Sequence, residues 1–452
     1  MTQQSGEPPA RPPLQLIAAL LAPVVGTYLG LADYVGLPTV ELSEPLRALL
    51  FGVAIVGAAF TLSWAAEAAQ VDISAGLALA LLALLAVLPE YAVDSVFTFE
   101  AGQIYAAEGQ CATTGGANPC SLALANMTGA NRVLVGVGWP LVVLIASWAA
   151  VRTRRAGGHD SASSSPGEVR LAPPLSAEVV YLGIATLYSL TLPLKDTLTL
   201  VDALVLVAIF VAYALRLAKA PASEPDLLGV SQWVGESARS RRRVLVVTMF
   251  TVAGLIIVLT AEHFAESLVL TGTELGIDQF LVVQWVAPLA SEAPELIVAC
   301  LYAWRLKASD SLGTLLSSKV NQWTLLVGTI PIVFALSATT TDGLPLETDQ
   351  RFELLLTSAQ SLFAVSLLVD LSLTLWGASA LLSLFLVQFV VSVAAPDLNE
   401  PTIIGLSILY GVLAVGQLAL HRRRIVQVVK DGLVTPFPEL ERDAEEQAAE
   451  HE

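Results

Sequence analysis

The 452-residue chain has little charge and few cysteines. Only 14% of its residues are charged, whereas 55% are hydrophobic, and a water-soluble fold could not cover that much apolar surface. Three cysteines cannot build a disulfide framework, and the sequence contains neither a Gly-rich phosphate loop nor a Cys/His cluster. The low charge and the high apolar fraction exclude a soluble enzyme, a nucleic-acid binder and a disordered scaffold.

Basic residues are scarce relative to acids. The chain has 23 Lys and Arg residues against 40 Asp and Glu, which gives a net charge of −17, and acids crowd the segment from Glu439 to Glu452. An acidic, lysine-poor composition is expected of a protein solvated by concentrated salt and favours a halophilic archaeon as the source, although an acidic tail alone gives the same sign. Five residues are lysine: Lys195, Lys219, Lys307, Lys319 and Lys430.

Apolar segments recur along the chain at the length of a membrane span. About 20 apolar residues cross roughly 30 Å of hydrocarbon, and only helices or closed barrels satisfy the backbone there. The sequence therefore predicts an all-α polytopic membrane protein of about twelve transmembrane helices. The predicted spans are residues 14–34, 47–69, 73–100, 121–151, 178–194, 197–217, 244–270, 280–304, 313–337, 352–371, 375–395 and 403–420.

Most basic residues sort onto one side of the membrane if the N-terminus is cytoplasmic. Only Arg47, Lys195 and Arg351 fall on the other side. The positive-inside rule then predicts a multi-pass protein of the cell membrane with both termini in the cytoplasm. The N-terminal segment lacks the basic region and cleavage site of a signal peptide, so we expect the first span to be retained.

Two polar connections, residues 152–176 and 218–243, predict cytoplasmic linkers. The second divides the chain into halves. The predicted organisation is an N-terminal tail with an extra helix (1–46), a first transmembrane repeat half (47–217), a basic linker (218–243), a second repeat half (244–395), an extra C-terminal helix (396–421) and an acidic cytoplasmic tail (422–452).

Both halves show the same order of helices. A helix with acids precedes an apolar helix interrupted by Pro-Glu, and a helix dense in small and polar residues follows. The interruptions are Pro89-Glu90 and Pro294-Glu295. In the predicted topology the two Pro-Glu helices run in opposite directions, so the halves form an inverted-topology repeat, which in many secondary transporters places a site at the membrane midplane.

A proline inside a helix suits a cation site at membrane depth. It frees the carbonyl four residues back, beside the acid that follows it here. A simple kink with a hydrogen-bonded acid is the alternative, but buried carboxylates are costly and mark functional sites. The sequence therefore predicts that both Pro-interrupted helices bind an ion.

These segments resemble the calcium/cation antiporter superfamily, which includes the sodium/calcium exchangers. LAVLPE and LASEAPE stand at its first motif, and ANMTGANRVLVGVG and LSSKVNQWTLLVG at its second. The resemblance covers six helices and implies a secondary antiporter that exchanges Ca²⁺ or a similar divalent cation for Na⁺ or H⁺. The metal-holding acids it implies are Glu90 and Glu295, and the further ion-binding positions are Ser291, Asn131, Ser318 and Gln322. Asn131 stands opposite Gln322 when Pro140 is aligned with Pro331.

The chain departs from the superfamily pattern at several positions. Ala86 and Val87 stand where the first repeat would carry hydroxyl ligands, and Glu292 adds an acid in the second. Arg132 and Lys319 lie inside spans beside expected ligands, where they would compensate the glutamates in place of a sodium ion; the alternative is that they snorkel or pair elsewhere. The sodium sites of the family therefore cannot be carried over whole.

Two other functions stay open at this point. The missing hydroxyls would suit a degenerate member that binds ions or lipid without exchange. An intramembrane carboxylate enzyme is the other, but its acids would be paired Asp rather than Glu after Pro, and an inverted repeat has no evident use in hydrolysis. We expect no enzyme activity and no cofactor, with cations and membrane lipid as partners, no nucleic acid and no nucleotide.

Several residues outside the motifs have two interpretations. Asp94, one turn beyond Glu90, extends an ion path or caps a solvated helix end. Two interpretations also apply to four residues of the preceding helices: they take part in proton transfer or ion entry, or they are only solvated at the surface. These residues are Glu67, Glu262, His263 and Glu266. Cys111 and Cys120 bracket a polar loop and pair if it faces an oxidising exterior, whereas Cys300 is expected only to pack.

Overall fold

The computed structural model describes residues 13–72, 88–111, 118–155, 164–220, 227 and 229–449. Helices make up most of these residues. They are α1 (Leu14–Leu21), α2 (Val24–Val35), α3 (Glu44–Ala69), α4 (Leu88–Glu108), α5 (Pro119–Val133), α6 (Trp139–Arg155), α7 (Ser176–Ser189), α8 (Leu200–Leu217), α9 (Val230–Gly235), α10 (Arg239–Leu275), α11 (Gln279–Trp304), α12 (Ala308–Asn321), α13 (Val327–Ala338), α14 (Thr348–Leu367), α15 (Leu375–Ala394), α16 (Asn399–Leu420), α17 (Arg422–Leu433) and α18 (Phe437–Ala449).

The prediction of an all-α polytopic membrane protein is confirmed. Ten helical segments of the described residues are long and apolar enough to cross a membrane. The more polar helices α4 and α14 pack among them and complete the predicted set of about twelve. Of the predicted span 73–100, residues 73–87 lie outside the described residues.

Helices α3 to α8 and α10 to α15 form two corresponding sets. α4 packs on α13 of the other set, and its counterpart α11 packs on α6, the counterpart of α13; likewise α8 contacts α13 and α15 contacts α6. This exchange of partners is expected for two halves related by a two-fold axis. Each set makes five crossings, so the second begins on the opposite side of the membrane, as an inverted repeat requires.

A π-helical turn interrupts the same helix in each set. Leu134–Gly138 joins α5 to α6, and Gln322–Leu326 joins α12 to α13. Such turns are rare and occur mostly at functional sites. Aligning the two turns places Asn131 opposite Lys319, a register three residues away from the one that the aligned prolines predict.

Glycine allows α5 and α11 to pack closely. A Cβ on Gly129 would lie 1.8 Å from the backbone oxygen of Gln284, so only glycine fits there. Small residues let helix backbones approach one another in a membrane. This contact brings the polar helix of the first half against the Pro-Glu helix of the second.

The predicted linkers contain short ordered elements. In the first, β1 (Ser164–Ser165) and β2 (Glu168–Arg170) form an antiparallel hairpin, and β2 pairs with β5 (Ser372–Thr374), which occupies the tight join between α14 and α15. A second antiparallel pair joins β3 (Thr197–Leu198) to β4 (Leu344–Pro345). In the second linker, α9 packs on α3.

The C-terminal segment docks onto the membrane helices through Arg216 of α8. The guanidinium donates to the backbone oxygens of Gly432 at 2.9 Å and Asp431 at 3.1 Å and to that of Thr435, and it stacks on Phe437 with Cζ 4.3 Å from the ring centroid. Phe437 and Leu440 are buried in the main core cluster. The segment predicted as an acidic tail is thus folded and packed over its described part.

Cys111 and Cys120 form a disulfide bond at the polar loop. Cys300 is a free, half-buried thiol within α11, in keeping with a packing role.

Candidate cation site

Glu90 and Glu295 come from the two Pro-Glu helices and lie within electrostatic reach of each other. Glu90 is fully buried and Glu295 is 8% exposed, and none of their four carboxylate oxygens accepts a hydrogen bond of good geometry from the described residues. Ser291 lies beside Glu90, and Ser318 lies beside Glu295. Buried carboxylates without partners are costly, and oxygens of this kind can serve as ligands for a positive charge.

Glu292 is also fully buried but already has partners. The side-chain amide of Gln322 donates to Oε1, and the amide nitrogen is also 3.5 Å from Oγ of Ser318. The charge of Glu292 interacts with those of Glu90 and Glu295 and with that of Lys319. This third glutamate therefore interacts with the other two glutamates and with a buried lysine.

Lys319 is fully buried and bridges the two halves of the protein. Its Nζ donates to Oδ1 of Asn131 at 2.7 Å and to the backbone oxygen of Asn131 at 3.2 Å, and it lies 4.7 Å from the ring centroid of Trp323. Asn131 and Lys319 are the positions that the two π-helical turns align. Asn131 thus binds the ammonium group, which leaves its amide oxygen less available to a mobile ion.

Arg132 pairs with an acid that the sequence motifs do not include. Nη2 of Arg132 lies 2.6 Å from Oε2 of Glu353 on α14, and both side chains are buried. Nε2 of Gln284 donates to the same carboxylate oxygen at 3.2 Å. Of the two interpretations of Arg132, the structure therefore supports the one in which it pairs with an acid other than the three glutamates.

Asp94 is buried rather than solvated. Asn126 donates to its Oδ1 at 2.7 Å, its Oδ2 has no partner, and its charge interacts with that of Glu90. About one turn before Asp94 on α4, the Tyr91 hydroxyl donates to Oδ1 of Asn321 at 3.2 Å and links α4 to α12. The ion-path interpretation of Asp94 agrees with its burial beside Glu90.

Three of the other titratable residues singled out in the sequence, Glu67, Glu262 and His263, have contacts elsewhere. Ser231 donates to Glu67 at 2.5 Å, and the Tyr34 hydroxyl donates to Glu262 at 2.6 Å. Nδ1 of His263 is 3.7 Å from Oδ2 of Asp33. The structure does not bring these groups into contact with Glu90 or Glu295.

A cavity of about 540 Å³ lies between α1, α3 and α11. Ile297 and Val298, just after Glu295, line it, and Glu67 and Arg305 are the charged residues among its described lining. Its walls are otherwise mostly apolar, which does not suit a bare divalent cation.

The described residues hold no group of three or more His, Cys, Asp or Glu side chains arranged to bind a metal ion. A cation between Glu90 and Glu295 would therefore take its remaining ligands from neutral oxygens, and Ser291 and Ser318 are close by. The positions Ala86 and Val87 lie outside the described residues.

The family profile described as "Sodium/calcium exchanger protein" matches residues 45–219 and 245–394. The chain belongs to this family. A search of curated protein sequences finds no match to the exchanger.

Solved structures similar to this exchanger include a crystal structure of the H⁺/Ca²⁺ exchanger CAX. It is 40% identical, the alignment covers 95% of this chain and 97% of that one, and the TM-score is 0.80. The structure of native YfkE is 13% identical over 87% of this chain and 98% of that one, with a TM-score of 0.52, and shows the fold alone.

Sequence reasoning about this exchanger missed Glu353 and Gln284. Neither lies in a family motif, and the signal that would have found them is a charged or amide side chain inside a predicted span. Glu353 pairs with Arg132 and accepts from Gln284, and these three residues lie on three different helices, so the pairing depends on the fold.

Proposed function

We propose that this protein exchanges Ca²⁺ for H⁺ by secondary antiport, with Glu90 and Glu295 as the acids that hold Ca²⁺. The observation that carries the proposal is a set of four buried carboxylate oxygens, contributed by two symmetry-related helices, that accept no hydrogen bond of good geometry within the described part of the chain. Ca²⁺ prefers oxygen ligands of this kind, supplied largely by carboxylates. CAX, which is 40% identical to this chain, is described as an H⁺/Ca²⁺ exchanger and supports the same cation pair.

The fixed charges favour H⁺, or fewer Na⁺ ions, over exchange of several Na⁺ ions per Ca²⁺. Lys319 is a buried cation that interacts with Glu292, and it supplies a positive charge that would otherwise come from a mobile ion. Ala86 and Val87 lack the hydroxyls that sodium sites of the family would use. Sodium ions therefore find fewer ligands here than in an exchanger with a full set.

Flux measurements in proteoliposomes test the function. Ca²⁺ uptake is followed under separately imposed H⁺ and Na⁺ gradients, with Mg²⁺, Mn²⁺ and Sr²⁺ as competing cations. We expect uptake driven by a pH gradient in sodium-free medium. Ca²⁺ binding without flux under either gradient would instead support the degenerate member that the missing hydroxyls left open.

We also propose that the protein lies in the cell membrane with both termini in the cytoplasm. Twelve crossings put both ends on one side, and the Cys111–Cys120 disulfide at the opposite ends of α4 and α5 agrees with an oxidising exterior. Single cysteines introduced at Ser165 and Gly109 in a Cys300→Ala background test this, because a membrane-impermeant maleimide should label only position 109 in intact cells.

A further inference from the structure

The Arg132 guanidinium is held from three helices. On its own helix, α5, Nε donates to the backbone oxygen of Thr128 at 3.3 Å. On α11, Trp285 lies under the guanidinium, with Cζ 5.0 Å from the ring centroid. On α14, Glu353 supplies the carboxylate at 2.6 Å. A buried ion pair persists where added contacts help to offset its desolvation. Here Nε supplies a hydrogen bond and Trp285 a stacking contact, whereas Nη1 and Nη2 have no hydrogen bond of good geometry among the described residues.

Glu353 is itself fixed by the helix that carries the candidate ligands. Gln284 donates to Oε2 of Glu353 at 3.2 Å and lies 3.4 Å from Oγ1 of Thr128. Gln284 precedes Glu292 by about two turns on α11. The cluster of Thr128, Arg132, Gln284, Trp285 and Glu353 therefore adjoins the candidate cation site along α5 and α11.

Because charged residues lie beside this cluster, the position of the Arg132 side chain matters for cation binding. Arg132 follows Asn131, which binds Lys319, and the charges of Arg132 and Lys319 repel each other. Lys319 interacts electrostatically with Glu292, one of the three buried glutamates. In a low-dielectric interior, an arginine that lost its partner would be attracted to buried carboxylates, and two of those in the candidate site lie on α11, which carries part of this cluster.

We propose that Glu353 is a positioning residue that keeps the Arg132 guanidinium out of the cation site, so that the carboxylates of Glu90 and Glu295 stay available to Ca²⁺. The inference rests on the proposed function for the identity of the cation. In physical terms, Arg132 without Glu353 is a tethered cation that competes with Ca²⁺. A competitor of this kind raises KM and leaves the rate at saturating Ca²⁺ largely unchanged.

The test is a cycle of variants assayed for Ca²⁺ binding in detergent and for Ca²⁺/H⁺ exchange in proteoliposomes. Glu353→Gln keeps the shape of the side chain and removes its charge, so we expect the Kd and KM for Ca²⁺ to rise about tenfold or more. Arg132→Met combined with Glu353→Gln removes the competitor as well and should return both constants to within about threefold of the wild type. Glu353→Asp retains the charge and should stay close to the wild type.

Asp349→Asn is the matched control, because it removes an exposed acid from the first turn of the same helix. A purely structural role for Glu353 predicts that the double variant is impaired at least as much as Glu353→Gln. That result, or wild-type affinity in Glu353→Gln, would overturn the inference. If Glu353→Gln does not fold, the double variant alone decides, because the proposal requires that variant to bind Ca²⁺ with wild-type affinity. Absence of exchange in the wild type refutes the proposed function, while the binding arm still tests Glu353.

Discussion

Four buried acids near the candidate site differ in how their oxygens are used. Glu292 and Asp94 each accept one hydrogen bond from an amide, whereas Glu90 and Glu295 accept none of good geometry from any described residue. A carboxylate that already accepts a hydrogen bond has less to gain from an incoming ion than one whose oxygens are all free. This difference separates the expected ligands from their neighbours, although all four are acids buried at similar depth.

Replacing either free glutamate should abolish Ca²⁺ transport. Each of the substitutions Glu90→Gln and Glu295→Gln removes one of the two carboxylates whose oxygens would replace water ligands of Ca²⁺. The volume of the side chain is retained. Ca²⁺ uptake into proteoliposomes measures the loss, and gel filtration checks that both variants are folded. Wild-type uptake by either variant would show that the site lies elsewhere.

Lys319 should determine which ion drives transport. Lys319→Asn removes a positive charge and Glu292→Ser removes a negative one, and both restore residues typical of the family. We therefore expect each substitution to change the dependence of Ca²⁺ uptake on Na⁺. The measurement is Ca²⁺ uptake against a pH gradient with and without Na⁺. Strict sodium dependence in the wild type, unchanged in both variants, would contradict this role.

At the scale of elements, two helix contacts bring the site together from separate halves. α4 packs on α13 and α11 packs on α5, so each Pro-Glu helix lies against the span that follows the Pro-Glu helix of the other half. These contacts cannot be derived from hydropathy, which gives the helices but not their partners. The sequence predicts two repeats of opposite topology, but not which of their helices touch.

Gly129→Ala should disrupt the contact of α5 with α11. The added methyl would meet the backbone oxygen of Gln284 at 1.8 Å, and the helices would have to separate, at a cost of about 1–3 kcal/mol or more. Thermal unfolding in detergent and Ca²⁺ uptake should both be impaired. Gly254→Ala in α10 is the control, because its Cβ meets no described atom within 4 Å. Equal behaviour of the two variants would refute the importance of this contact.

Docking of the C-terminal segment should depend on Arg216. Arg216→Met removes the donors to three backbone oxygens between Asp431 and Thr435 and the stacking on Phe437. We expect faster protease cleavage within α17 and α18, because helices that leave their binding surface become accessible. Arg424→Met, an exposed substitution in α17, should leave cleavage unchanged.

At the scale of the whole molecule, the sequence predicts the helices, the repeat and the acids Glu90 and Glu295 because each has a local signature. Hydropathy marks the spans, and Pro-Glu marks the interrupted helices. The sequence does not predict the pairing of Arg132 with Glu353 or of Lys319 with Asn131, since each pair joins residues far apart in the chain. It also missed the packing of the C-terminal segment, whose acidic composition is typical of a solvated tail.

The two halves are also joined at Asp72, just beyond α3, by the first turn of α10. Nε and Nη2 of Arg242 each donate to its carboxylate at 2.9 Å, and Arg239 and Arg243 lie at 3.5 and 3.6 Å. The Arg242 guanidinium holds the pKa of Asp72 below its usual value. Because the folded pKa is the lower one, the pair stabilises the fold above the unfolded pKa of about 4 and loses that contribution as the pH falls through the folded value.

Asp72→Asn should therefore lower the stability of the protein at neutral pH and have a diminishing effect in acid. Thermal unfolding in detergent between about pH 7 and pH 3 measures the difference between variant and wild type, which we expect to shrink below about pH 4. Asp349→Asn removes an exposed acid and should change stability little across the same range. A difference for Asp72→Asn that is constant with pH would mean that Asp72 acts through packing rather than through its charge.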